Sequence, residues 1–240
     1  MSNCRGERYH CIMVAVDCIV AVAGRSERMG SWKPLLPFRG STIVAAVVAA
    51  ALEACSRVIL VTGYRGGELA ARYAAEPRVR VVENPDWKLG MFSSIRRGAV
   101  LVETDRFFIM LADMPFVGEP VYRALLRESA ADVVFPVHGR MRGHPVLAGA
   151  RVREAILAAD PAAGSMREIT ARLAVVEVPW HDDSVLRDID TPRDLAGDEA
   201  PDGRENGVRP LAGEEKKVGL ADEEGLARLG GRRRLPGAGA

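Results

Sequence analysis

With 240 residues, 48% apolar content and a formal net charge of +1, the chain can bury one substantial core, either as a single domain or as a domain with an appendage. So even a charge balance provides no long-range field to gather nucleic acid or an acidic membrane, so any phosphate site must be locally concentrated. Small anions are the expected partners, and neither nucleic acid nor membrane is. Cys4, Cys11, Cys18 and Cys55 form no C-x-x-C pair and no zinc-finger spacing with histidine, so they read as reduced thiols of a cytoplasmic protein.

The apolar stretch at 12–23 follows Arg5 and Arg8 and ends Ala21-Val22-Ala23, which imitates a secretory signal with its cleavage site. Asp17 interrupts it and a binding-type loop follows at once, so a buried first strand is the better reading and residues 1–16 read as an extension. The longest other apolar run, 43–52, is well below the roughly 20 residues that span a bilayer. Short β-branched runs then alternate with helical patterns. Strands are expected at 18–22, 57–62, 79–83, 107–111 and 132–136, and helices at 43–54, 68–74, 94–102 and 120–128. Repeated strand-helix-strand units give a mostly parallel sheet with helices on both faces, because right-handed crossovers cover each side. The expected class is therefore α/β, three-layered and Rossmann-like.

Residues 138–147 turn Gly- and Arg-rich and read as irregular chain, followed by helices at 152–159 and 165–172 and a strand at 174–179. A late insertion of this kind is expected to build the second wall of a substrate cleft. After Leu195 the composition shifts to Gly, Ala, Glu and Arg without sustained periodicity. Such a segment cannot bury enough apolar surface to order itself, so 17–195 reads as the folded domain and 196–240 as a disordered tail.

In a doubly wound sheet, ligands bind beyond the carboxyl ends of the strands, where the strand order reverses. The first loop there, A-G-R-S-E-R-M-G-S-W-K from Ala23, has two glycines to turn the backbone and Arg25, Arg28 and Lys33 to meet a triphosphate. It matches neither a Walker A sequence nor G-x-G-x-x-G. The loop at 62–67 is also glycine-rich and is assigned no chemistry, because glycines there commonly just permit a turn. In the segment 84–94, Ser93 or Ser94 reads as the N-cap of a helix, with donors for a polar ligand edge after Gly90. Asp113 ends a buried strand and suits Mg2+, a hard ion that takes one or two carboxylates together with phosphate oxygens. The acidic run from Asp188 to Asp190 could complete that site if the chain returns to the cleft, while Thr191-Pro192 reads as a helix start.

Six colinear segments between Asp17 and Leu195 together resemble the MobA-like nucleotidyltransferases, and within them the molybdenum cofactor cytidylyltransferase (MocA) type. They are AGRSERMGSWKPLLPF from Ala23, CSRVILVTGYRGGEL from Cys55, NPDWKLGMFSS from Asn84, ADMP from Ala112, RGHPVL from Arg142 and DIDTPRDL from Asp188. The resemblance implies a Rossmann-like fold and transfer of CMP from CTP to a molybdopterin-type molybdenum cofactor, with release of pyrophosphate. By position it implies that Ala21, Ala23 and Gly24, with Arg25 and Ser26 of the same loop, meet the nucleotide. Arg28 and Lys33 would meet its phosphates, Gly90, Ser93 and Ser94 its base or ribose, Asp113 and Asp190 the Mg2+, and His144 the pterin. Val22 stands where cytidylyl members commonly have alanine, and Ala112 where glycine usually precedes the metal aspartate. A GTP-using enzyme, or one acting on a sugar phosphate or another small precursor, is the nearest alternative. A non-catalytic cofactor carrier serving a receiving molybdoenzyme is the alternative of another class.

Overall fold

The computed structural model describes residues 15–22, 24–25, 29, 31–128 and 131–196. The expected extension before residue 15, the tail beyond 196 and the candidate residues Ala23, Ser26 and Arg28 lie outside the described residues. In chain order the elements are β1 (Asp17–Val22), β2 (Pro37–Phe38), β3 (Ser41–Thr42), α1 (Ile43–Ala54), β4 (Arg57–Thr62), α2 (Gly66–Arg72), β5 (Val79–Glu83), α3 (Met91–Ala99) and β6 (Arg106–Leu111). They continue with α4 (Glu119–Leu126), β7 (Val133–His138), β8 (Met141–Arg142), β9 (Val146–Gly149), α5 (Ala150–Ala158), α6 (Met166–Thr170), β10 (Val175–Pro179) and α7 (Pro192–Ala196).

The main sheet runs β10-β7-β9-β6-β1-β4-β5, with β8 paired to β7. β1 is parallel to both β4 and β6, and the chain builds outward from β1 through β4 to β5 before returning to add β6 on the other side. The strand order therefore reverses between β1 and β6, and their carboxyl ends flank the crevice where such sheets hold ligands. The central strands β1, β4 and β6 read as continuous apolar runs because both their faces are covered. Edge strand β5 alternates buried and exposed positions instead.

One face packs under α3 and α5, around Ile19, Ile59, Val61, Phe92, Ile95, Phe107 and Ile109. On the other face, α1 and α4 bury Val44, Val48, Tyr122 and Leu125, and Phe108 meets the Tyr122 ring edge-on at 4.9 Å between centroids. Each of these side chains that is fully buried contributes about 1.5–3 kcal/mol relative to exposure. α1 begins where Thr42 caps it, its side chain accepting from the Ala45 amide.

Two expectations are corrected. The segment 138–147 is not irregular: it forms a hairpin through β8 and then enters β9, which runs antiparallel between β6 and β7. Its few apolar residues, Val146 to Ala148, suffice because they are all buried. The second correction concerns α3, whose N-cap is Gly90 and neither Ser93 nor Ser94. Gly90 has φ +107°, a conformation open to glycine, and this turns the chain straight from the 3-10 turn Trp87–Leu89 into the helix. The serines then fall inside the first turn.

Asp17 is 2% exposed at the amino end of β1. Its carboxylate accepts from Arg57 Nε at 3.0 Å and Nη2 at 2.8 Å, and from the Glu103 amide at 2.8 Å. The charge inside the apolar stretch is thus half of a clamp that fixes β1 against β4 and the chain leading into β6. Removing it takes two bonds from the Arg57 guanidinium, which keeps Glu103 and the Leu101 carbonyl, and frees the Glu103 amide, so Asp17→Ala is expected to lower unfolding free energy by about 3 kcal/mol in urea titrations.

Candidate active site

A cleft of about 510 Å³ opens at the carboxyl ends of β1 and β6. Ala21, Val22 and Gly24 form one side, Leu111, Ala112 and Asp113 the base, and Trp87, Lys88, Gly90, Met91 and Ser94 the facing wall; Lys33, Pro34 and Asp190 close it. Of the candidate residues, Ala21, Gly24, Lys33, Gly90, Ser94, Asp113 and Asp190 thus meet in one cavity.

Lys33 starts the 3-10 turn Lys33–Leu35, where Pro34 sets the first turn and the lysine is only 8% exposed. Its ammonium donates to Asp113 Oδ2 at 3.1 Å and to Asp190 Oδ1 at 2.8 Å. Burial works against the charge, but the hydrogen bonds and attraction of Asp190 and Asp113 outweigh it and hold the ammonium above its usual pKa.

Asp190 reaches the cleft because of the alternation in Asp188-Ile189-Asp190. Ile189 is fully buried in a small cluster with Met29, Phe38 and Ile43, which turns its two acidic neighbours the other way. Its amide donates to the Asp113 carbonyl at 2.8 Å, tying the two acidic loops together. Asp194, in the first turn of α7, accepts from the Asp190 amide and from both the amide and the hydroxyl of Thr191. These bonds, led by the Thr191 amide, hold the Asp194 carboxyl below its usual range.

Asp113, Asp188 and Asp190 each present an oxygen, and the three lie within 4.8 Å of one another. Oxygens on one Mg2+-sized ion are at most about 4.2 Å apart, twice the usual bond length, so small side-chain rotations bring all three into range. All-oxygen donors of this charge fit a hard divalent cation. Asp188 belongs to the acidic run read as a possible completion of the site, although the family resemblance implied only Asp113 and Asp190 as ligands. Burial, then the charges of Asp190 and Asp113, push its carboxyl above the usual range, as expected for one of several like charges.

Three candidate residues do not line the cleft. Ser93 turns inward, accepting from Asn84 and donating toward the carbonyls of Gly90 and Asp86. Arg25 lays its guanidinium over the rings of Tyr64 and Trp87, 5.5 and 5.3 Å from their centroids. His144 is half-buried, within the electrostatic reach of Asp113, with its amide bonded to the Val185 carbonyl at 2.9 Å. Nor does any residue between 138 and 179 line the cavity, so the late segment does not form the expected second wall; residues 87–94 do. The loop at 62–67, assigned no chemistry, holds the rim through Tyr64. Gly63 is required there because a Cβ would meet the Trp87 side chain at 2.5 Å.

A doubly wound sheet with three carboxylates and a lysine at its switch point is suited to a transferase that acts on a metal-bound nucleotide. The chain belongs to the MobA-like NTP transferase family, whose domain matches residues 18–178. It is 36% identical over 184 residues to the molybdenum cofactor cytidylyltransferase of Escherichia coli K12, covering 76% of this chain and 95% of that protein. It is 29% identical over 194 residues to the nicotine blue oxidoreductase of Paenarthrobacter nicotinovorans, covering 73% and 92%. Among solved structures it resembles Rv0371c of Mycobacterium tuberculosis H37Rv, with a TM-score of 0.65 and 25% identity over 76% of this chain and 97% of that one.

Burial pushes the His144 imidazole down to about 4, against the opposing pull of Asp113. The folded state thus favours the neutral ring, and the unfolded chain takes up a proton first as pH falls. The stability from His144 is complete above about pH 6.5 and is lost on acidification toward pH 4, up to roughly 3 kcal/mol. Urea unfolding at pH 7.5 and 4.5 should show a smaller difference for His144→Gln than for the native chain.

Proposed function

We propose that the chain transfers CMP from CTP to the phosphate of a molybdopterin-type molybdenum cofactor, releasing pyrophosphate. The observation that carries this reading is the placement of Lys33 between Asp113 and Asp190 at one end of a cleft whose facing wall includes Gly90 and Ser94. The 36% identity to the E. coli cytidylyltransferase supports the choice of nucleotide and acceptor. A phosphate monoester has a second pKa of about 6, so it is mostly dianionic at neutral pH and attacks the α-phosphorus without a general base. The obstacle is repulsion between that dianion and the triphosphate, so the protein's task is charge neutralisation and in-line positioning. Lys33 supplies a fixed positive charge there, and Arg28 of the same loop, by its sequence position, a second.

Mg2+ held by Asp113 and Asp190, with Asp188 beside them, would supply Lewis-acid stabilisation of charge on the phosphate oxygens. Ala21 and Gly24 would lie along the nucleotide, and Arg25 would close over its outer edge from the aromatic rim. His144, near enough to Asp113 to feel its charge, would act on the acceptor side of the metal site. Residues 17–195 would form the catalytic unit of a cytoplasmic enzyme, passing its product to a receiving molybdoenzyme.

The test is pyrophosphate release with purified molybdopterin cofactor and each nucleoside triphosphate in turn. CTP should exceed GTP by about 10-fold or more in kcat/KM, the discrimination expected of a site that hydrogen-bonds its base. Equal rates would make the enzyme unselective, and a preference for GTP would reassign the base. Asp113→Ala should lower turnover on the order of 100-fold, the size of effect single electrostatic groups have in such sites; near-native turnover would remove Asp113 from the mechanism.

A further inference from the structure

Asn84 is 3% exposed, immediately after β5, and all the hydrogen-bonding groups of its side chain are engaged. Its Oδ1 accepts from the Asp86 amide at 3.1 Å, while Nδ2 donates to Ser93 Oγ at 2.9 Å and to Ser94 Oγ at 3.0 Å. The Asp86 N–H allows only one orientation of the amide, because the flipped form would set two donors face to face. Both serine oxygens must therefore act as acceptors toward Asn84.

Ser93 spends its own proton on the loop, at 2.7 Å from the Gly90 carbonyl. Ser94 is different. It is wholly buried yet lines the cleft, and among the described residues its hydroxyl proton has no acceptor. A buried donor without a partner is rare in folded proteins, and a ligand seated against it accounts for the omission.

We infer that Asn84 is a positioning residue that commits Ser94 to act as a hydrogen-bond donor, so that this part of the wall selects a nucleotide group that accepts. The inference rests on the reading of the cleft as a nucleotide site. A cytosine offers two neighbouring acceptors, O2 and N3, on the edge it pairs with, whereas on the pairing edge of guanine N1 and the amino group are donors and only O6 accepts, its other acceptors lying at N3 and N7. The Asn84–Ser94 pair therefore bears on which base is taken, through a residue that touches no ligand itself.

The experiment is equilibrium binding of CTP, with GTP in parallel, to the full chain by titration calorimetry in the presence of Mg2+. Asn84→Asp keeps the shape but lets the side chain accept the Ser94 proton, reversing the polarity offered to the ligand; Ser94→Ala removes the donor. Each should weaken CTP binding by about 10-fold or more and narrow the preference over GTP. The double variant should be no weaker than Ser94→Ala alone, because Asn84 acts only through Ser94. Circular dichroism and melting temperature identify any variant that has lost its fold, and Ser94→Ala, which deletes one oxygen, keeps the test open if Asn84→Asp does not fold. Native affinity in either single variant, or losses that multiply in the double variant, would overturn the inference. If the native chain binds GTP in place of CTP and the same coupling appears there, the positioning role stands and only the choice of base in the proposed function fails. If it binds neither nucleotide, both fall.

Discussion

Three carboxylates facing one small space repel each other, and the Lys33 ammonium between two of them makes their gathering tolerable. The lysine is itself nearly buried, so it depends on Asp113 and Asp190 as much as they depend on it. Attraction in a partly dry site is stronger than in water, and so is the cost of an unpaired member. The cluster therefore behaves as one electrostatic unit. Asp188, partly buried beside two other carboxylates, is pushed above its usual range. On the proposed function, a divalent cation and a triphosphate would bring further positive and negative charge to the same point, so the unit suits a ligand carrying both.

The meeting of residues 33, 113 and 190 is a consequence of topology. β1 lies between β4 and β6, so the loop after β1 and the loop after β6 leave the sheet side by side. The third contributor arrives after β10, at the far edge, and is drawn back by Ile189 in its apolar cluster and by the amide bond from Ile189 to the Asp113 carbonyl. α7 then begins at once, and Asp194 gathers the amides of residues 190 and 191 so that the Asp190 backbone is held from both sides. At the opposite end of the sheet, Asp17 and Arg57 hold the same strands in register.

Much of this was legible in the sequence. Strands buried on both faces announce themselves as unbroken β-branched runs, and the ranges 57–62 and 79–83 agree with β4 and β5 residue for residue. Asp113 was legible because a carboxylate directly after such a run has to lie at a strand end. β9 was hidden because three buried residues between glycines carry too short a pattern, and its pairing partners β6 and β7 lie far away in sequence. The start of α3 was hidden because serines imitate caps, whereas the actual device is a glycine at positive φ. Ser93 and Ser94 differ by one residue and both accept from Asn84, and what separates them is the Gly90 carbonyl, which takes the Ser93 proton.

Family membership narrows the chemistry less than the site does, since a relative of nearly equal coverage bears the name of an oxidoreductase. What distinguishes a phosphate-transferring cleft is the division of its walls. One end concentrates charge: Lys33 against three carboxylates. The other, made of Trp87, Gly90, Met91 and Ser94 with Lys88 beside them, carries no carboxylate, and there single hydrogen bonds and ring contacts can discriminate between flat heterocycles. The rim joins the two, because Arg25 belongs to the charged loop yet rests on Tyr64 and Trp87. Such contacts at an exposed site are worth about 0.5–1 kcal/mol each, enough to park the guanidinium but less than a charge-assisted bond to phosphate would offer. On the proposed function, a nucleotide entering the cleft would meet a cation that gains by leaving the aromatic rings, which would link recognition at that wall to neutralisation at the charged end.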